Sequence, residues 1–153
     1  MVQEGRRAPT FAMPVGGGGK VALKDLKGKK VVFFFYPKDD TPGYNSEAKD
    51  FTRLKRKFSA NGIAVIGVSK DTAAKHEKFS DKHNLRITLA SDASGVICEK
   101  FGVWVKKINY GRKYMGIERS TFLIDEKSIV AKIWRKVNVK GHAEAVLATA
   151  KEI

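Results

Sequence analysis

Val31-Val32-Phe33-Phe34-Phe35-Tyr36 is an unbroken apolar and aromatic run, closed by Pro37. A strand with one wet face alternates polar and apolar side chains. A continuous run of strand length therefore needs cover on both faces, as at the centre of a mostly parallel sheet. The following segment changes period. Ala48, Phe51, Leu54 and Phe58 recur every three or four residues with Lys and Arg between them, which predicts one amphipathic helix of about four turns, ended by Asn61-Gly62. Ile63-Ala64-Val65-Ile66-Gly67-Val68 reads as a second buried strand, so the first unit is βαβ.

Weaker signals fill in the rest. A helix is expected from near Asp71-Thr72, with Ala74, Phe79 and His83 as its inner markers, then a short strand at 87–89. Asp92 is expected to cap a helical turn over 96–101. Strands at 121–124 and 129–134 flank Asp125-Glu126-Lys127-Ser128 as a hairpin. A closing helix over 142–151 has Ala145, Val146 and Leu147 available for burial. Gly16-Gly17-Gly18-Gly19, ahead of Lys20-Val21, fails the phosphate-loop pattern: Pro14 stands where its first glycine belongs, and Val21 replaces its Ser or Thr. It reads as a flexible hairpin tip. The sum is an α/β fold in one domain over 1–153, with a mixed central sheet flanked by helices and an N-terminal β-hairpin.

Composition narrows the chemistry. The chain has 153 residues, of which 42% are hydrophobic and 30% charged, so disorder and fibrous folds are excluded. No apolar run approaches a membrane span, and a cytoplasmic protein is expected. Cys98 is the one cysteine, so an internal disulfide and a CxxC redox pair are excluded by count. The three histidines, His76, His83 and His142, are scattered, and neither a metal nor a cofactor is expected. The net charge of +14 is spread along the chain, as expected of basic solvated faces.

In open α/β sheets, sites gather where the chain leaves a central strand for a helix. Here that junction carries FFFYPKDDTPGYNSEAKDF, which resembles the active-site segment of the peroxiredoxins, specifically the peroxiredoxin Q or bacterioferritin comigratory protein subfamily. GVSKD at 67–71, GVW at 102–104, YGRKYMGIERSTFLID at 110–125, and the N-terminal APTF and LKDLKGKKVV are similar to the same subfamily. The resemblance implies a thioredoxin-like fold and a thiol peroxidase acting on hydrogen peroxide and organic hydroperoxides. Its implied partner is thioredoxin or another thiol reductant. The family motif, Pro-x-x-x-Thr-x-x-Cys with a distant Arg, places Pro37, Thr41 and Arg119 in the site.

The peroxidatic cysteine position is Tyr44. A peroxidatic thiol sits in the first turn of a helix, where unpaired N–H groups and the helix dipole favour the thiolate. A guanidinium and a threonine hydroxyl then orient the peroxide. The sulfur takes up one oxygen as a sulfenic acid, which a second thiol resolves. A phenol has a reference pKa of about 10, and its oxygen cannot accept an oxygen atom. The chain is therefore expected to be inactive or strongly impaired as a peroxidase. The ring is expected to fill the peroxide pocket or to displace the first helical turn. The resolving position, five residues on, is Lys49.

Cys98 is the remaining thiol, and the resemblance implies that some relatives carry a resolving cysteine on this helix. Its neighbours Val96, Ile97 and Phe101 suggest a half-buried helix, on which it is expected to pack as a small core residue; an exposed Cys98 would allow weak thiol chemistry. Arg119 is expected to pair with Glu47 or Asp50. Thr41-Pro42-Gly43 reads as a turn capping the helix. Ser128, where the family generally has glycine, suggests a different hairpin turn. An alternative is a non-catalytic binding or holdase module, in which Trp104, Tyr110 and Tyr114 alternate with Lys106, Lys107, Arg112 and Lys113. Because the family shares this segment, packing is the expected role of its rings, nucleic acid is not an expected partner, and a monomer is expected.

Overall fold

The computed structural model describes residues 2–153, with the side chains of residues 42–44 excepted. A two-stranded antiparallel hairpin, β1 (Ala12–Pro14) and β2 (Lys20–Ala22), opens the chain, with the four glycines at its tip. The central sheet has five strands in the order β5 (Thr88–Ser91), β4 (Ile63–Ser69), β3 (Lys30–Phe35), β8 (Ser120–Ile124) and β9 (Val130–Trp134). β3 is parallel to β4 and antiparallel to β8. The helices are α1 (Pro42–Arg53), α2 (Lys55–Ala60), α3 (Ala73–His83), α4 (Val96–Lys100) and α5 (His142–Glu152).

The unbroken run in β3 is explained by its cover. Val31, Phe33 and Phe35 belong to one core cluster, with Phe11 and with Ile97, Cys98 and Phe101 from the α4 segment. Val32, Phe34 and Tyr36 belong to the other, with Ala48, Phe51, Phe58, Phe79 and Val146 from α1, α2, α3 and α5. Phe33 stacks on Phe11 at 4.5 Å and Phe34 on Phe51 at 4.7 Å. Gly67 gives Phe34 its space: a Cβ there would stand 2.7 Å from the Phe34 ring.

Four expectations need correction. The helix after β3 is two helices, because Leu54 (φ −93°, ψ 1°) ends α1 and starts α2. The bend lets Leu54 and Phe58 both bury, and neither Gly nor Pro announces it. Ala74 and Ala145 are exposed, and His76 takes the inner position on α3. Val96 is also exposed, while Asp92 caps α4 from outside it, accepting from the amides of Ile97 and Cys98 at 3.2 and 2.7 Å.

The fourth concerns Ser128. It keeps φ at +64°, the left-handed conformation that favours glycine, so the turn geometry is retained despite the side chain. Relief of that strain is worth about 1–2 kcal/mol, against about 0.4–1 kcal/mol for glycine's greater unfolded entropy. Ser128→Gly is therefore expected to stabilise the protein by about 0.5–1 kcal/mol, seen as a higher urea midpoint.

A second hairpin, β6 (Trp104–Asn109) and β7 (Arg112–Ile117), stands apart from the central sheet. Its two-residue turn, Tyr110-Gly111, has both φ angles positive (52° and 75°), as the twist of a tight hairpin requires.

Candidate active site

The chain leaves β3 through Tyr36 and reaches α1 across residues 37–41. Thr41 is the N-cap of α1, with extended backbone, and Pro42 occupies the first helical turn, where its missing N–H is no loss. The capping expected of Thr41 is positional only. Its Oγ1 donates to the Lys38 carbonyl at 3.2 Å, and no side-chain bond closes the helix start. Residue 44 lies in the first turn of α1. The expected effect of the Tyr44 ring falls on a side chain outside the described residues.

Arg119 follows β7 and reaches back to α1. Of the two expected carboxylates it pairs with Glu47, Nη1 to Oε1 at 2.7 Å, while Asp50 lies 3.7 Å from Arg53. Glu47 is 1% exposed, and its Oε2 has no hydrogen-bond partner among the described residues. Burial pushes its carboxyl up to about 7, against the pull of the Arg119 cation. With that carboxyl about half protonated near pH 7, the ion pair neutralises the charge of Arg119 only in part.

Pro37 and Thr41 border a cleft of about 580 Å³, closed on its far side by β6–β7 through Trp104, Lys107 and Tyr114. Lys70 lies with Nζ 4.3 Å from the Trp104 ring centroid, a cation–π contact at the cleft wall. The walls are aromatic and cationic together. Lys49 is exposed on α1.

Cys98 does not belong to this cleft. It is 0% exposed and sits in the cluster on the sheet face opposite α1. Burial pushes its thiol up, and the neighbouring Asp92 carboxylate adds to that. Cys98 therefore packs as expected, and the alternative of an exposed, oxidisable thiol does not hold. The packing expected of the hairpin rings needs correction. Trp104 packs against the core, but Tyr110 is 100% exposed, with Ile108 at 68%, Met115 at 48% and Tyr114 at 46%.

The site has members that the sequence reading missed. Asp39, next to Lys38 in the loop, is bonded to His76 of α3, 37 positions away. Nothing local marks that pair.

Comparison with known proteins places this geometry. The AhpC/TSA family model matches residues 5–133. The chain is 45% identical to peroxiredoxin Bcp of Bacillus subtilis, over 99% of this chain and 97% of that one. It is 35% identical to peroxiredoxin Bcp of Escherichia coli over the same shares. The Xanthomonas campestris bacterioferritin comigratory protein, whose alkyl peroxide reduction activity has been studied through its structures, superposes with a TM-score of 0.92 at 39% identity, covering 98% of each chain. A cysteine-to-serine variant of peroxiredoxin Q from Xylella fastidiosa gives 0.94 at 34% identity, covering 99% and 97%.

Proposed function

The chain belongs to the AhpC/TSA family, in its peroxiredoxin Q (Bcp) branch, and we propose that it keeps the scaffold of a thiol peroxidase while Tyr44 disables the peroxidase step. The family reaction needs a thiolate sulfur at the head of α1 to attack a peroxide oxygen and become a sulfenic acid. A phenol oxygen has no such oxidation open to it.

One observation carries the reading. The chain's one sulfhydryl, Cys98, is fully buried on the other face of the sheet from α1, where a thiol is inert. It can neither replace the missing nucleophile nor reach it. Thr41 and Arg119 keep the roles of peroxide-orienting groups, with Pro37 opening the loop from β3 that carries Thr41. Electrons for a restored enzyme come from thioredoxin or another thiol. Peroxide consumption by this chain beside its Tyr44→Cys variant, with a thiol reductant supplied, tests the reading.

The exposure of Ile108, Tyr110, Tyr114 and Met115 supports a second reading, a binding module. Four of the six large exposed hydrophobics among the described residues lie on β6–β7, and residues 104–117 carry four cations and no acid. Such a surface would hold a polyanion in a salt-dependent way. On this reading the chain is retained by a single-stranded nucleic-acid resin at low salt, and Lys106→Glu with Arg112→Glu releases it. Passage of the unaltered chain straight through excludes the module.

A further inference from the structure

Beneath the loop that carries Thr41, two titratable side chains are buried against each other. His76 is 0% exposed and the Asp39 side chain 7%. We propose that Asp39 and His76 are a positioning pair, holding residues 37–41, and Thr41 with them, through a proton confined between the imidazole and the carboxylate. The functional part of this rests on Thr41 being a peroxide-orienting group.

Hydrogen-bond bookkeeping requires the proton. A carbonyl oxygen only accepts, so Nε2 of His76 carries a hydrogen to bond the Ala90 carbonyl at 3.0 Å. Nδ1 lies 2.7 Å from Oδ2 of Asp39, a separation that two bare lone pairs do not adopt. A second hydrogen therefore lies in that contact. The other groups of Asp39 are already committed: Oδ1 accepts from the Tyr36 hydroxyl at 2.8 Å, and the main-chain N–H donates to Oδ2 of Asp71 at 2.8 Å. The ring and the carboxylate together are electrically neutral with their polar atoms satisfied, which is what burial demands.

The loop needs such an anchor. Asp40 stands at φ +58°, a left-handed turn that aspartate tolerates better than most residues but that still costs energy. Asp39 ties the segment to three elements at once: α3 through His76, the end of β3 through Tyr36, and the β4–α3 turn through Asp71, which Ser69 holds at 2.7 Å. Asp40 adds an outer tie to Lys82 and His83 of α3, at 3.0 and 3.3 Å. Facing the pair are the acid Asp71 and the Tyr36 phenol, while Lys38, Lys75, Lys78 and Lys82 line, with Asp39 and Asp40, a separate hollow of about 440 Å³.

Nitrogen NMR of the unaltered protein, labelled with ¹⁵N-histidine, tests the proton directly near neutral pH. His76 is expected to show N–H character at both ring nitrogens. His142, which burial and then Arg119 push down to about 4, serves as the neutral control with one bare nitrogen. A bare nitrogen on His76 overturns the proposal. The positioning role is read in the Tyr44→Cys protein. Asp39→Asn and His76→Gln are each expected to lower kcat/KM for peroxide between about tenfold and a hundredfold, while the surface change Glu144→Gln leaves it unchanged. Full activity in both folded variants overturns the positioning role. An inactive Tyr44→Cys parent instead sinks the reading of Thr41, and the NMR result still decides the pair.

Discussion

Tyr44→Cys is expected to turn a chain that consumes no hydroperoxide above buffer into one that does so with a thiol reductant, a gain on the order of a hundredfold or more. The reason is placement. Residue 44 lies in the first turn of a 12-residue helix, where unpaired amides and the helix dipole stabilise an anion. A thiol there has its pKa drawn from about 8.5 toward the range of about 3.5–7.5, so most of it is thiolate at neutral pH. Thr41 is already at the N-cap, three residues upstream, and Arg119 is anchored to Glu47 one turn downstream. The measurement is peroxide loss coupled to oxidation of thioredoxin, repeated in a Cys98→Ser background. Turnover by the unaltered chain that survives Cys98→Ser would refute the disabled-peroxidase reading. Lack of activity in Tyr44→Cys would mean that Thr41 and Arg119 do not serve a thiol at residue 44 as proposed.

Glu47 governs the second large effect. Its folded value of about 7 lies above the ordinary 4.5, so the unfolded chain releases this proton first. The stability associated with that proton is complete below about pH 4.5 and is lost as pH rises through about 7, a change of about 3 kcal/mol. Glu47→Gln removes the titration. Urea unfolding at about pH 5 and about pH 8 is expected to give a drop for the unaltered chain that exceeds the drop for Glu47→Gln by about 2.5 kcal/mol, since part of the effect is already lost at about pH 5. Equal drops would show that the ion pair with Arg119 outweighs burial and keeps the carboxylate charged across the range. The cause lies in the geometry: Oε1 is paired at 2.7 Å, but Oε2 is buried without a partner, and a full charge on such a group is costly.

The parts of this protein legible in its sequence are those set by neighbours along the chain. An apolar run without alternation requires two covered faces, and Val31 through Tyr36 have them. The period of Ala48, Phe51, Leu54 and Phe58 requires a helix side turned inward, and all four are buried. The spacing from Pro37 through Thr41 to Tyr44 puts Tyr44 at a helix start, which follows from Pro42 and the strand before it. Even so, the break at Leu54 and the missing hydroxyl cap of Thr41 escaped, since both depend on how the helix meets the sheet.

Tertiary structure alone chose among alternatives that the sequence left equal. Glu47 and Asp50 lie one turn apart on α1, and only the path of the chain after β7 gives Arg119 to Glu47. Cys98 had neighbours compatible with half exposure, and the Phe33–Phe101 side of the core closed over it. His76 acquired a partner 37 residues away because β3, β4 and α3 meet at the same end of the sheet. Exposed rings on β6–β7 share their pattern with rings that pack. Periodicity records which side of an element faces inward, whereas burial and pairing depend on what arrives there from elsewhere in the chain, and those contacts leave no local mark.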